Sequence, residues 1–160
     1  MKVATIMNLE NRQATPIQKL SEKLNNNTFY IKRDDLFPIS FGGNKARKAI
    51  LFFKEQEKLG CDSIVTYGSS SSNHCRVVAN MAASRELPCY IVSPIEESQP
   101  TNNSRITQLL NAHVVMCPVS EVSLTIDELL QKLRVQGLNP YFIQGGGHGD
   151  LGTKAYVDAY

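Results

Sequence analysis

Ser63-Ile64-Val65-Thr66-Tyr67-Gly68-Ser69-Ser70-Ser71-Ser72-Asn73-His74 reads as a short apolar strand that breaks into a Gly/Ser loop and then opens a helix. The strand is rich in β-branched residues, and Ser72 or Asn73 suits a helix N-cap. The alternation recurs downstream. Asn73 to about Glu86 reads as a helix, Cys89-Tyr90-Ile91-Val92 as a strand and Asn103 to Asn111 as a helix. His113-Val114-Val115-Met116 is a third strand, Thr125 to Gln136 a helix, and Tyr141-Phe142-Ile143-Gln144 a fourth strand. Short apolar strands alternating with helices specify an α/β fold with a parallel sheet. A four-stranded, Rossmann-like lobe is therefore expected over roughly residues 55–145.

The flanks read differently. Thr15-Pro16-Ile17 has the form of a helix start, with Pro in the first turn. Asn25-Asn26-Asn27 is a polar break, and Phe29-Tyr30-Ile31 is a β-prone run ending in Lys32-Arg33-Asp34-Asp35. Those charges are expected to form structural ion pairs. A loop from Phe37 to Asn44 leads to a helical pattern from Lys45 to about Leu59, which Gly60 stops. Beyond the fourth strand, Gly145-Gly146-Gly147-His148-Gly149-Asp150 is a flexible loop, and Leu151 to Tyr160 starts a new helix. Both flanks carry apolar residues with no evident partner in the lobe, as if they belong to a second body.

The chain has 160 residues and a net charge of +2, with 42% hydrophobic and 20% charged residues. That balance argues against a nucleic-acid binder or an acidic tail protein, and against wholesale disorder. No apolar run approaches the roughly 18 residues of a membrane span. Met1 to Asn8 lacks the apolar core of a secretory signal, so a cytoplasmic protein is the expectation. Cys61, Cys75, Cys89 and Cys117 form no C-x-x-C pair, and His74, His113 and His148 are scattered, so no metal is expected. Asn102-Asn103-Ser104 fits a glycosylation pattern that has no consequence without a secretory signal.

Three stretches can carry chemistry. In Gly42-Gly43-Asn44-Lys45-Ala46-Arg47-Lys48, glycines allow close backbone approach and leave Lys45 at a helix N-terminus. The helix dipole, Arg47 and Lys48 would lower the Lys45 pKa, which suits a lysine that attacks a carbonyl. The plainer reading is a solvated basic turn. Tyr67 to His74 lies where parallel sheets gather ligands, and its hydroxyls, amide and N–H groups suit a carboxylate or phosphate. The plainer reading there is a Ser-rich cap. His74 serves equally as a proton shuttle or a packing residue. Gly145 to Gly149 suits a linker more than catalysis. Neither a P-loop nor a G-x-G-x-x-G fingerprint is present.

Taken together, Ile31-Lys32-Arg33-Asp34-Asp35-Leu36, Gly42 to Lys48 and Ser72-Asn73-His74-Cys75-Arg76 resemble the 1-aminocyclopropane-1-carboxylate deaminase/D-cysteine desulfhydrase family. These are pyridoxal-phosphate enzymes of fold type II, the tryptophan-synthase-β-like fold, and the resemblance runs from Thr15 to Tyr160. It implies that Lys45 forms the Schiff base with pyridoxal phosphate and later moves the α-proton. It places Lys48 near the cofactor phosphate and Asn73 on the cofactor's ring hydroxyl. Ser72, flanked by Ser71, Asn73 and His74, would hold the substrate carboxylate.

The resemblance implies β-elimination or deamination of a small amino acid, giving a 2-oxo acid and ammonia. Ser71 stands where the family commonly has Gln, and His74 where the deaminase branch has Gln, which favours the desulfhydrase branch. Family members are about twice as long. On that scheme residues 1–54 belong to the large cofactor domain, 55–145 form the small domain, and 146–160 begin the return to the large one. A homodimer or a complementary C-terminal half would complete the enzyme. The alternative is a non-catalytic α/β module or a split-enzyme subunit.

Overall fold

The structure is a computed structural model that describes residues 14–69, 71–95 and 100–159. Met1 to Asn8, Ser70 and Tyr160, which enter the sequence reading above, lie outside the described residues.

The lobe is built from β3 (Ser63–Tyr67), α2 (Asn73–Ala83), β4 (Cys89–Pro94), α3 (Asn102–Leu109), β5 (His113–Cys117), α4 (Val122–Val135) and β6 (Pro140–Ile143). Upstream are β1 (Ile17–Leu24), β2 (Asn27–Lys32) and α1 (Asn44–Lys58); α5 (Asp150–Val157) follows the lobe. The four lobe strands pair in parallel in the order β5-β4-β3-β6, as the sequence pattern requires. No described helix is long and apolar enough to cross a membrane.

Side-chain alternation along the strands divides the core. Ile64, Cys89, Ile91, Tyr141 and Ile143 face one side, where Phe53 of α1 and Val77, Val78 and Met81 of α2 cover them. Val65, Val92 and Cys117 face the other, where Leu129 and Leu133 of α4 close the layer. β3, β4 and β6 are thus buried on both faces, which is why they read as continuous apolar runs, whereas the edge strand β5 leaves Val114 and Met116 exposed. The buried face of α1 shares its core with the sheet, so the expected division at residue 54 falls inside a helix packed on the lobe.

The segment after Thr15-Pro16 is not a helix. Ile17–Leu24 is a strand paired antiparallel with Asn27–Lys32, with Ile17 opposite Lys32 and Leu24 opposite Asn27. The polar break is the turn of this hairpin. Asn25 and Asn26 hold φ of 52° and 62°, the left-handed pair that a tight hairpin needs and that Asn tolerates. Pairing with the aromatic and β-branched strand Asn27–Lys32 outweighs the helix propensity of Gln18, Lys19 and Leu20.

The charged run divides as ion pairs. Arg33 meets Asp35 at the surface, at 2.6 Å. Asp34 turns inward, and its partner is Arg47 of α1, not its neighbours Lys32 and Arg33. Arg47 donates from Nε and Nη2 to the two carboxylate oxygens, each at 2.7 Å. Thr15 adds its hydroxyl at 2.6 Å.

Candidate active site

The strand order places a topological switch point between β3 and β6. After β3 the chain moves outward through β4 to β5, then returns to the opposite side of β3 as β6. Ligands of open α/β sheets bind where the loops after two such strands part. Those loops here are Gly68 to Ser72 and the glycine turn Gly145–Gly147.

Lys45 reaches this place from α1. Its helix begins at Asn44 after two glycines with φ of 73° and 90°. Any Cβ at Gly42 would lie 2.4 Å from the Asp34 carbonyl oxygen, so only glycine fits there. Gly43 N–H donates to that same oxygen at 2.6 Å. Asp34 therefore anchors the approach to Lys45 by its main chain and fixes Arg47 by its side chain.

Lys45 Nζ is half-buried and donates to the Gly146 carbonyl at 2.8 Å. Lys48 Nζ, one turn on, donates to Gly147 O at 3.1 Å and lies 5.1 Å from the centre of the Tyr156 ring. Burial first, and then the positive charge of Lys48, hold the Lys45 amine below the usual lysine range. Arg47, which the sequence reading counted toward that shift, is turned away to Asp34. Gly146 and Gly147 have φ of 68° and 64°, and a Cβ on Gly147 would sit 3.2 Å from Phe52 and 3.3 Å from Lys48. Glycine thus lets the turn put its carbonyls against both lysines.

From the other side come Ser71, Ser72, Asn73 and His74. Ser72 caps α2, its hydroxyl accepting from Cys75 N–H at 3.2 Å. Ser71 is exposed, its hydroxyl 3.1 Å from that of Ser69. Asn73 is exposed at the first position of the helix, and His74 is buried beneath the loop. His74 Nε2 lies 2.8 Å from the Thr66 hydroxyl, which donates its single proton to Ile143 O at 2.8 Å. Nε2 must then be the donor, so the ring is the neutral Nε2–H tautomer. Burial, with Lys45, Lys48 and His148 nearby, pushes its pKa down to about 4. Of the two sequence readings of His74, the packing one describes this geometry. His148 is exposed just past the glycine turn.

A family model described as pyridoxal-phosphate dependent enzyme matches residues 9–159. The chain belongs to the pyridoxal-phosphate-dependent enzyme family. D-cysteine desulfhydrase of Yersinia enterocolitica (serotype O:8 / biotype 1B) is 37% identical over 153 residues, covering 90% of this chain and 46% of the relative. D-cysteine desulfhydrase of Serratia proteamaculans is 38% identical with the same coverage. A crystal structure of an ACC deaminase homologue superposes with TM-score 0.79 at 30% identity, covering 91% of this chain and 46% of that one. A hydrogen sulfide-producing enzyme from Fusobacterium nucleatum shares the fold, with TM-score 0.63 at 19% identity and coverage of 88% and 46%. The chain spans about half the length of the curated relatives it matches.

The residues present fit the reactive end of the family's cofactor. Lys45 offers an amine whose neutral form burial and Lys48 favour. Asn73 has its amide oxygen occupied, leaving Nδ2 to donate. Sequence reasoning assigned no part to Thr66, Asn103 or Tyr156. Tyr156 receives Asn44 Nδ2 on its hydroxyl at 2.5 Å and so ties α5 to the start of α1. Asn103 was visible only as the start of a helix and within a glycosylation pattern. No spacing rule signals partners that lie 112 and 30 residues apart.

Proposed function

We propose that this chain carries the lysine-bearing half of a lyase or deaminase that acts on a small amino acid. The reaction is desulfhydration of D-cysteine to sulfide, a 2-oxo acid and ammonia, or deamination of a cyclopropane amino acid to a 2-oxo acid and ammonia. The observation that carries the reading is Lys45. It is a half-buried amine, held below the usual lysine range, at a helix start on the switch point of a pyridoxal-phosphate family fold. Only a neutral amine attacks a carbonyl.

Pyridoxal phosphate, when bound, supplies the electron sink for negative charge developed at the α-carbon. Lys45 Nζ would hold the cofactor's aldehyde end and, when free, would move the α-proton of D-cysteine; the cyclopropane amino acid has no α-hydrogen, so its ring opening would start otherwise. Asn73 would donate from Nδ2 to the ring hydroxyl, and Lys48 would add positive charge on the phosphate side. The Ser72 hydroxyl and the first N–H groups of α2 receive the substrate carboxylate, with Ser71 at its border. His74, its Nε2–H engaged by Thr66, holds the loop in shape and shuttles no proton. Residues 1–54 and 146–160 belong with a larger domain. Exposed apolar side chains on both flanks support this: Ile17, Tyr30 and Phe41 on one, Tyr156 and Val157 on the other. A homodimer, or a complementary C-terminal half, would cover them. The second reading, a non-catalytic α/β module, is favoured by the burial of β3, β4 and β6 on both faces against helices of this chain.

The test adds the C-terminal half of a D-cysteine desulfhydrase relative, with pyridoxal phosphate, and offers D-cysteine and 1-aminocyclopropane-1-carboxylate separately. Sulfide, a 2-oxo acid and ammonia in equal amounts from D-cysteine are expected. A 2-oxo acid from the cyclopropane substrate alone would assign the deaminase reaction instead. No turnover of either would leave the non-catalytic module as the better reading.

A further inference from the structure

The amide of Asn73 is gripped from two elements. Arg76, one turn further along α2, donates from Nη2 to Asn73 Oδ1 at 3.3 Å. Asn103 of α3 donates from Nδ2 to the same oxygen at 3.0 Å and to Ser71 O at 2.7 Å. A guanidinium has no acceptor, so its partner atom on Asn73 must be the oxygen. The amide orientation follows: Oδ1 faces inward to two donors and Nδ2 faces out.

Arg76 is also unusual in its charge. It is 7% exposed, as buried as Arg47 at 6%. Arg47 has a bidentate carboxylate, Asp34. Arg76 forms no ion pair among the described residues. Its Nη1 donates to Ser40 O, its guanidinium lies 5.2 Å from the Phe41 ring centre, and its Nε has no partner. A buried cation lacking a local counter-ion leaves positive potential around it. The other titratable groups at this end of α2 are Lys45 and Lys48 of α1 and His148 beyond β6, all facing His74.

We propose that Arg76 and Asn103 are positioning residues that fix Asn73 as a hydrogen-bond donor, and that Arg76 biases the site toward an anionic oxygen opposite Asn73 Nδ2. The ligand chemistry selected is an ionised, phenol-type hydroxyl. This rests on the reading of Asn73 as the partner of the cofactor's ring hydroxyl.

Two measurements on the full 160-residue chain test it. In the cofactor-free, ¹⁵N-labelled chain, the Asn73 side-chain amide pair is identified by its loss in Asn73→Ala. Asn103→Ala and Arg76→Lys should each displace that pair, and the double variant should displace it by less than the two shifts added. With pyridoxal phosphate added, the pH midpoint of its visible absorbance should rise by about one pH unit in Arg76→Met, the scale of one charge at a partly exposed site. Arg76→Lys should keep most of the wild-type midpoint. An Asn73 amide pair that neither variant moves overturns the orienting role. A midpoint unchanged in Arg76→Met overturns the charge role. Asn103 is half-buried on a short helix, so Asn103→Ala keeps the first measurement readable should the buried Arg76 variants fail to fold. A chain that takes up no cofactor counts against the cofactor reading, and the amide measurement then decides the orienting role alone.

Discussion

Lys45→Ala abolishes covalent capture of pyridoxal phosphate by this chain. Borohydride reduction of the wild-type chain with the cofactor should leave a pyridoxyl group on one peptide, and in the variant the yield should fall to background. Other lysines do not substitute. Lys48 is buried and spends its ammonium on the Gly146 and Gly147 carbonyls. The exposed lysines, such as Lys19 and Lys154, lack the burial and the neighbouring charge that favour a neutral amine at Lys45. The alanine also removes a hydrogen bond to Gly146 O. That loss is about 1 kcal/mol, too small to unfold the lobe. An undiminished adduct in the variant would move the chemistry to another residue.

Asp34→Ala should destabilise the fold by about 3 kcal/mol, the scale of removing one partner from a buried pair. The variant leaves the Arg47 guanidinium, 6% exposed, without its carboxylate and Thr15 without its acceptor. A loss of this size is a large part of an ordinary domain's stability. The midpoint of urea unfolding reads it, and a change within the range of surface pairs, below about 1 kcal/mol, would contradict the account. Asp35→Ala is the control, because its pair with Arg33 lies at the surface.

The same pair sets a pH dependence. The Arg47 hydrogen bonds hold the Asp34 carboxyl below the usual carboxylate range. A depressed pKa stabilises the fold fully above the unfolded value of about 3.9, and that stability is lost as pH falls from there through the folded value. Asp34→Ala should therefore flatten the acid limb of the stability curve below about pH 4.

The sheet was legible because each strand is a short apolar run bounded by Gly, Pro, Ser or Asn. Ser63–Tyr67 emerges with the same limits in structure as in sequence. The hairpin was not legible. Ile17–Leu24 mixes Lys, Glu, Gln and Ser with no alternation, and only its pairing with Asn27–Lys32 makes it a strand. Local patterns also placed Lys45 at a helix start and Ser72 or Asn73 at a helix cap, of which Ser72 is the cap, since both features are read within one turn. They could not show that Asp34 bonds thirteen residues ahead to Arg47. Nor could they show that Gly146 O, 101 residues from Lys45, receives its ammonium. The second contact depends on the β6–β3 pairing, which exists only once the sheet is assembled.

The most direct test of the account is peptide mapping of the wild-type chain by mass spectrometry after addition of pyridoxal phosphate and reduction with borohydride. A single pyridoxyl group on Lys45 is the predicted result. A pyridoxyl group spread over surface lysines, or confined to a lysine other than Lys45, would contradict it.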